Sequence, residues 1–355
     1  NFTFFNHLKN KREVVAWSFY DFANQPFSTI IVTFIYSAFY VKEISYNEDV
    51  GTYFWSLGIT ITSFFVAFLS PFLGAISDKK GNRHSLFVFF SIICSFFTMT
   101  LYFPNHGDIY LALFLFVTAN ISFEFASVFC NSYLTDISNK VNIGRVSGYA
   151  WGLGFIGGLL ALLFCFIFFD LDIKSDIKRI NILVGIWYII FSMPAFIILR
   201  NINNEKPNSN KNNFSAFLSI KQTFKNISSY ESIYRFLIAR LFYNDGLITI
   251  FTLGGIYAVG TLDFAFNEVL ILGIVLNVCA CVGSFIFGYY EDIVGVKKII
   301  NISLVFLILA TIVAFISPST SNPKEWFWCS CILIGLMSGP NQSCSRSLMA
   351  RLTPD

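Results

Sequence analysis

Ten apolar blocks, each about the length of a bilayer crossing, dictate what this chain can fold into. They cover residues 14–41, 51–76, 85–103, 109–135, 143–169, 180–199, 233–259, 267–290, 298–316 and 326–348. A hydrocarbon core about 30 Å thick takes roughly 20 apolar residues of helix, so each block suffices for one span. Each is also too long for a strand of a membrane barrel. Composition agrees: 13% of the 355 residues are charged and 55% are hydrophobic. A soluble domain carries about 25% charge. The expected class is an all-α polytopic membrane protein, with the lipid bilayer as its surroundings and no nucleic acid as partner.

All eight cysteines fall inside the apolar blocks and none in a loop. A disulfide framework would put them in loops on an oxidising face, so they read as small packing residues. Cys279 and Cys281 are close in sequence but have no His or Cys at zinc-binding spacing. His7, His84 and His106 fall at or beyond helix ends, which speaks against haem or a multi-histidine metal centre. No metal or cofactor is expected. The chain opens on Asn1 rather than Met and reads as a fragment trimmed at both ends.

Lysine and arginine set orientation, because they accumulate on cytoplasmic loops. With the N-terminus inside, 18 of them fall on inner segments and 5 on outer loops, leaving Arg240 within a span. The inner set includes Lys11, Arg12, Lys79, Lys80, Arg83, Lys297, Lys298, Arg346 and Arg351; the outer set is Lys42, Lys174, Lys178, Arg179 and Lys324. The N-terminus is expected in the cytoplasm, in the inner membrane of a bacterium.

The longest polar stretch, residues 201–232, separates a six-helix half over 1–200 from a four-helix half over 233–355. Asn201–Asn213 is rich in Asn and Lys and reads as a flexible linker. Phe214–Ile227 reads either as a short surface helix or as ordinary linker. The halves repeat one another. Gly74, Asp78, Lys79, Gly81 and Arg83 follow the second span, and Gly288, Asp292, Gly295, Lys297 and Lys298 follow the eighth. Gly-to-Asp and Asp-to-Gly separations are the same in both. A duplicated six-helix unit explains this, and implies that helices 11 and 12 lie outside the fragment.

The loop from Gly74 through Asp78 and Gly81 to Arg83 resembles the signature of the major facilitator superfamily, with Asn82 standing where Arg is usual. Tyr20–Asn24, Gly144–Gly152, Tyr243–Gly246 and Ser345–Arg351 resemble the branch of the yeast autophagy-linked vacuolar amino-acid effluxer and its bacterial relatives. The resemblance runs from about residue 13 to the end of the chain. It implies the major facilitator fold of two pseudo-symmetric six-helix halves. It also implies a monomeric secondary transporter carrying a small polar solute, with amino acids as the suggested class and a proton as the suggested driving ion. Within that fold, helices 1, 4 and 7 line the central cavity.

Ionisable groups inside spans cost roughly 2.5–3.5 kcal/mol on insertion scales and should face the bundle interior or water. Asp21 has Asn24 and Ser28 on its face of helix 1; Glu124 lies in a stripe with Asn120, Ser127 and Asn131 on helix 4. Arg240, Asn244 and Asp245 lie on helix 7. Asp21 and Arg240 stand at similar depth on symmetry-related helices and could pair across the halves. These groups are candidates for substrate binding or proton coupling; the plainer reading is static polar contact. Gly144, Gly148 and Gly152 on helix 5 suit close helix packing. Pro340 beside Asn341 offers a break and a polar group in helix 10, a plausible cavity site. By pseudo-symmetry, Asp292 should face the first turn of helix 5 and Asp78 the start of helix 11, as gating contacts. A membrane-embedded enzyme would need clustered catalytic groups at one interface, which the spacing does not offer. A channel or lipid scramblase remains the alternative, and non-saturating flux would reveal it.

Overall fold

In a bilayer every backbone N–H and C=O must be paired within the segment, so the apolar blocks become helices. The structure, a computed structural model, describes residues 10–170, 173–202 and 231–352, with the side chains of Asp78, Lys79, Ile256, Phe266, Asn267 and Leu270 also outside the described set. Ten long helices are seen there. They are α1 (Lys11–Ile44), α2 (Glu48–Lys80), α3 (Arg83–Thr100), α4 (Ile109–Asn131), α5 (Ile143–Phe168) and α6 (Lys174–Ile198). The second half supplies α7 (Glu231–Leu262), α8 (Phe266–Val294), α9 (Val296–Ile316) and α10 (Pro323–Leu352). Among the described residues, nine are long and apolar enough throughout to cross a membrane. The tenth, α10, falls short on composition because of a polar run from Asn341 to Ser347, and most of that run is buried, bonded to α5, α7, α8 and α9. The segment Phe214–Ile227 lies outside the described residues.

Helix α1 changes register midway, and proline is the cause. Pro26 has no N–H to give the carbonyl of Phe22, and from Phe27 to Phe34 the helix widens into a π-helix. The freed carbonyl is reached by the Trp187 indole N–H at 3.5 Å. It also lies where α5 has no side chain: a Cβ on Gly157 would come within 2.3 Å of it. The glycines of α5 therefore permit backbone contact with α1, as their spacing predicts.

The halves are built alike. Helix α3 packs on α4 as α9 packs on α10, and α2 on α4 as α8 on α10. Contact between the halves runs mainly through α5 and α8. The repeated loops share a backbone device. Gly81 and Gly295 take positive φ, +63° and +99°, and end α2 and α8 with N–H bonds to Ser77 and Glu291. Only glycine enters that region without steric cost, which accounts for its fixed distance from the aspartate. Helix α7 is far less covered than its counterpart α1, which is mostly buried. The places that α5 and α6 take around α1 have no counterpart around α7 among the described residues.

Candidate functional site

The end of the bundle where the odd-numbered helices begin carries most of the lysines and arginines and is called here the basic end. Two polar layers join the halves there. In the deeper layer, Arg346 of α10 reaches into the first half. Its Nη1 pairs with Asp21 Oδ2 of α1 at 2.8 Å and donates to Asn131 Oδ1 of α4 at 3.3 Å. Nε donates to Ser147 Oγ of α5 at 3.0 Å, and Nη2 to the Ser147 carbonyl at 2.8 Å. The Ser147 hydroxyl in turn donates to the Ser343 carbonyl of α10 at 2.8 Å. Two indoles cover the guanidinium, Trp17 at 4.5 Å and Trp151 at 5.4 Å from the ring centres. Both ionic side chains are nearly enclosed, 9% exposed for Arg346 and 13% for Asp21. A planar guanidinium with five donors suits this position, being able to serve three helices and two aromatic faces at once.

The outer layer centres on Asp292 at the end of α8. Its carboxylate accepts from the backbone N–H of Gly144 at 3.3 Å and of Arg145 at 3.2 Å, the first turn of α5. It also pairs with Arg351 at 2.7 Å and Arg145 at 3.3 Å. Pseudo-symmetry predicts this placement, and the positive end of the α5 dipole adds to it. Glu291 beside it is fully enclosed, accepts from Ser347 and lies 3.7 Å from Arg351. Arg351 also donates to the Lys140 carbonyl at 2.5 Å. Bare backbone makes this approach feasible. A Cβ on Gly148 would lie 2.6 Å from Gly288 Cα, one on Gly144 2.6 Å from Asp292 Oδ1, and one on Gly152 2.7 Å from the Phe285 ring.

The other expected residues distribute as follows. Asp21 does not pair with Arg240. Helix α7 meets α1 mainly at the π-helical stretch Phe27–Phe34, beyond Asp21, while α10 lies beside Asp21. Arg346, read from the sequence as a topology-setting charge, takes the place expected of Arg240. Among the described residues Arg240 Nη1 is buried without a hydrogen-bond partner. Glu124 is half-buried two turns along α4 from Asn131, on the face that meets Arg346, and has no ion pair among the described residues. Asn24 and Asn120 are buried on α1 and α4. Asn244 accepts from Gln342 Nε2 at 3.3 Å, tying α7 to α10, whereas Asp245 is exposed. Asn341 turns away from the junction of the halves. Its Nδ2 donates to Ser303 Oγ of α9 at 3.0 Å, inside the second half, while its Oδ1 is buried with no donor among the described residues. Of the first repeated loop, Arg83 pairs with Asp136 at 2.7 Å and lies 3.8 Å over the Tyr133 ring. A Cβ on Gly74 would meet nothing within 4 Å. Lys297 is exposed, and the side chains of Asp78 and Lys79 lie outside the described residues.

Residues 135–355 match the family model described as vacuole effluxer Atg22 like. The chain belongs to the vacuole effluxer Atg22-like family. Residues 2–162 also match the Major Facilitator Superfamily model, so this Atg22-like chain is a multi-pass membrane transporter of that superfamily and not an enzyme. It is 27% identical to the uncharacterized MFS-type transporter YxiO of Bacillus subtilis (strain 168), over 96% of this chain and 80% of that one. It is 21% identical to autophagy-related protein 22 of Pichia angusta, over 89% of this chain and 66% of that one. Solved structures show the same fold at low identity. The proton:xylose symporter XylE has TM-score 0.63 at 12% identity, covering 96% of this chain and 85% of that one. A bacterial homologue of the iron transporter ferroportin in the outward-facing state has TM-score 0.60 at 13% identity, covering 98% and 85%. The Atg22-like chain thus carries small-molecule solute across a bilayer through the major facilitator fold.

Proposed function

We propose that this chain is a secondary active transporter of a small polar solute, working by alternating access, whose basic end is cytoplasmic and is closed by the Arg346 and Asp292 layers. The observation that carries the reading is the Asp21–Arg346 pair, which holds α10 of one half against α1, α4 and α5 of the other. An ion pair nearly out of solvent is costly to bury, and its removal of one partner costs about 3–5 kcal/mol. Placed across the junction, it stabilises the closed state and must separate for that end to open. Glu124, two turns along α4 from Asn131 and without an ion pair among the described residues, is the group proposed to carry a coupling proton. Amino acids are the first substrate class to test, and the protein is proposed to act as a monomer in a bacterial inner membrane.

The test is exchange of radiolabelled amino acids and other small polar solutes by full-length protein in proteoliposomes. Saturable counterflow is expected for at least one solute, and Glu124→Gln should flatten its pH dependence. Linear, non-saturating flux would indicate a channel or scramblase. Orientation is tested separately: cysteine at His106 should react from outside the cell and cysteine at Lys297 from inside only, and the reverse would overturn the assignment.

Asp292→Asn keeps the side-chain shape but removes the charge facing Arg351, Arg145 and the start of α5. The contact with a helix start is worth about 0.3–2 kcal/mol, enough to shift a balanced equilibrium without locking it. The variant should open more often at the basic end, read as faster labelling of a cysteine at Asn24 from the cytoplasmic side. Unchanged labelling and unchanged transport would leave the loop a topological role alone.

A further inference from the structure

A second polar group lies deeper, midway along the spans, where α1, α5 and α8 meet at Gly158. A Cβ on Gly158 would stand 2.8 Å from Thr29 Oγ1, 3.0 Å from Gln25 Cγ and 3.1 Å from Asn277 Oδ1. Three polar side chains from both halves thus converge on bare backbone. Asn277 is 6% exposed, and its Nδ2 donates to the Gly273 carbonyl one turn back at 2.9 Å. That bond fixes the amide orientation, because turning it over would set carbonyl against carbonyl. Oδ1 therefore points at α1 and α5. Among the described residues it is buried and has no donor. Thr29 is 4% exposed. A purely structural asparagine at a helix contact would be expected to use both ends of its amide, since a buried acceptor left unpaired loses its hydration for nothing.

We infer that Asn277 is a solute-contact residue, whose carbonyl oxygen, together with Thr29 and Gln25, accepts hydrogen bonds from a primary-amine group of the transported solute. The inference rests on the transporter reading above and adds the chemistry recognised. All three side chains offer oxygen acceptors. Thr29 and Gln25 can also donate, but Asn277 Oδ1, held by the bond to Gly273, can only accept. An ammonium group supplies donors to it, whereas a carboxylate or phosphate would set oxygen against that oxygen. Pro26 and the π-helical turns after it set Thr29 against Gly158, where the three helices are in contact in this state, so a solute reaches these side chains only as the halves part. The site spans the junction of the halves, so a bound solute would touch both parts that move.

The test takes the full-length protein in proteoliposomes, the twenty protein amino acids as probes, and the deamino analogue of each one carried. Asn277→Ala should raise the half-saturation concentration for a carried amine by about tenfold, the effect of losing one hydrogen bond to a charged group, with maximal rate and membrane insertion little changed. The deamino analogue should compete weakly with wild type and no more weakly with the variant, since the contact is already lost. Should Asn277→Ala fail to insert, Thr29→Val removes a second acceptor at near-constant volume and is expected to act in the same direction. In a protein otherwise free of cysteine, Asn277→Cys and Thr29→Cys should react with 2-aminoethyl methanethiosulfonate, and the carried solute should slow both. Wild type that exchanges no solute would overturn the transporter reading. Exchange with an unchanged half-saturation concentration in Asn277→Ala or Thr29→Val would overturn this assignment alone. Thiols unreactive at both positions would overturn it whatever the exchange assay gives.

Discussion

Arg346→Met is expected to lower counterflow by roughly 100-fold or more while leaving the protein inserted. The substitution keeps a long apolar stem against Trp17 and Trp151 but removes the charge facing Asp21. A carboxylate that is 13% exposed then loses its counter-ion. The expected cost is about 3–5 kcal/mol in the state closed at the basic end, equivalent to roughly 10²–10⁴-fold in a rate that must pass through it. The protein should rest open at that end, where water can reach Asp21. Asp21→Asn should act in the same direction. The double variant Asp21→Asn with Arg346→Gln should recover part of the loss, because removing both charges leaves neither one buried alone. Equal rates in wild type and both single variants would remove the pair from the mechanism.

Gly148→Val should be as damaging for a different reason. A Cβ at 148 would stand 2.6 Å from Gly288 Cα and 2.9 Å from the Ser284 carbonyl, both of them backbone that cannot turn aside. Two further methyl carbons force α5 and α8 apart where the halves meet most extensively. Closure at the basic end is then blocked outright, with no measurable counterflow and fast cytoplasmic labelling of a cysteine at Asn24. Gly148→Ala should give an intermediate defect. A Gly148→Val protein with normal exchange would show that the halves never pack this closely during transport.

Helix number, helix borders and the repeated loops were legible in the sequence, since bilayer thickness and backbone pairing leave few options. Asp292 was legible too: pseudo-symmetry carries one loop onto the other, and Gly144 and Gly148 mark where its partner helix can approach. The partner of Asp21 was not. Arg240 and Arg346 both lie near the basic end, and depth alone does not distinguish them; the choice depends on whether α7 or α10 runs beside α1. The sign that favours Arg346 is that α10 stays helical through Leu352, which puts Arg346 inside the bundle instead of at its rim. The partner of Asn341 was not legible either: its Nδ2 bonds Ser303 of α9, a contact that depends on how α9 and α10 pack. Asn277 could not be found by composition. A lone asparagine in an apolar helix becomes informative only once Gly158, Thr29 and Gln25 are seen around it.

The central claim is that the two halves separate at the basic end during the transport cycle. Spin labels at Val141 and Ile293, exposed positions at the basic ends of the first and second halves, report that separation directly by double electron–electron resonance in the full-length protein. The account predicts two distance populations in wild type, with the longer one dominant in Arg346→Met and Gly148→Val. A single distance, identical in wild type and both variants, would contradict it.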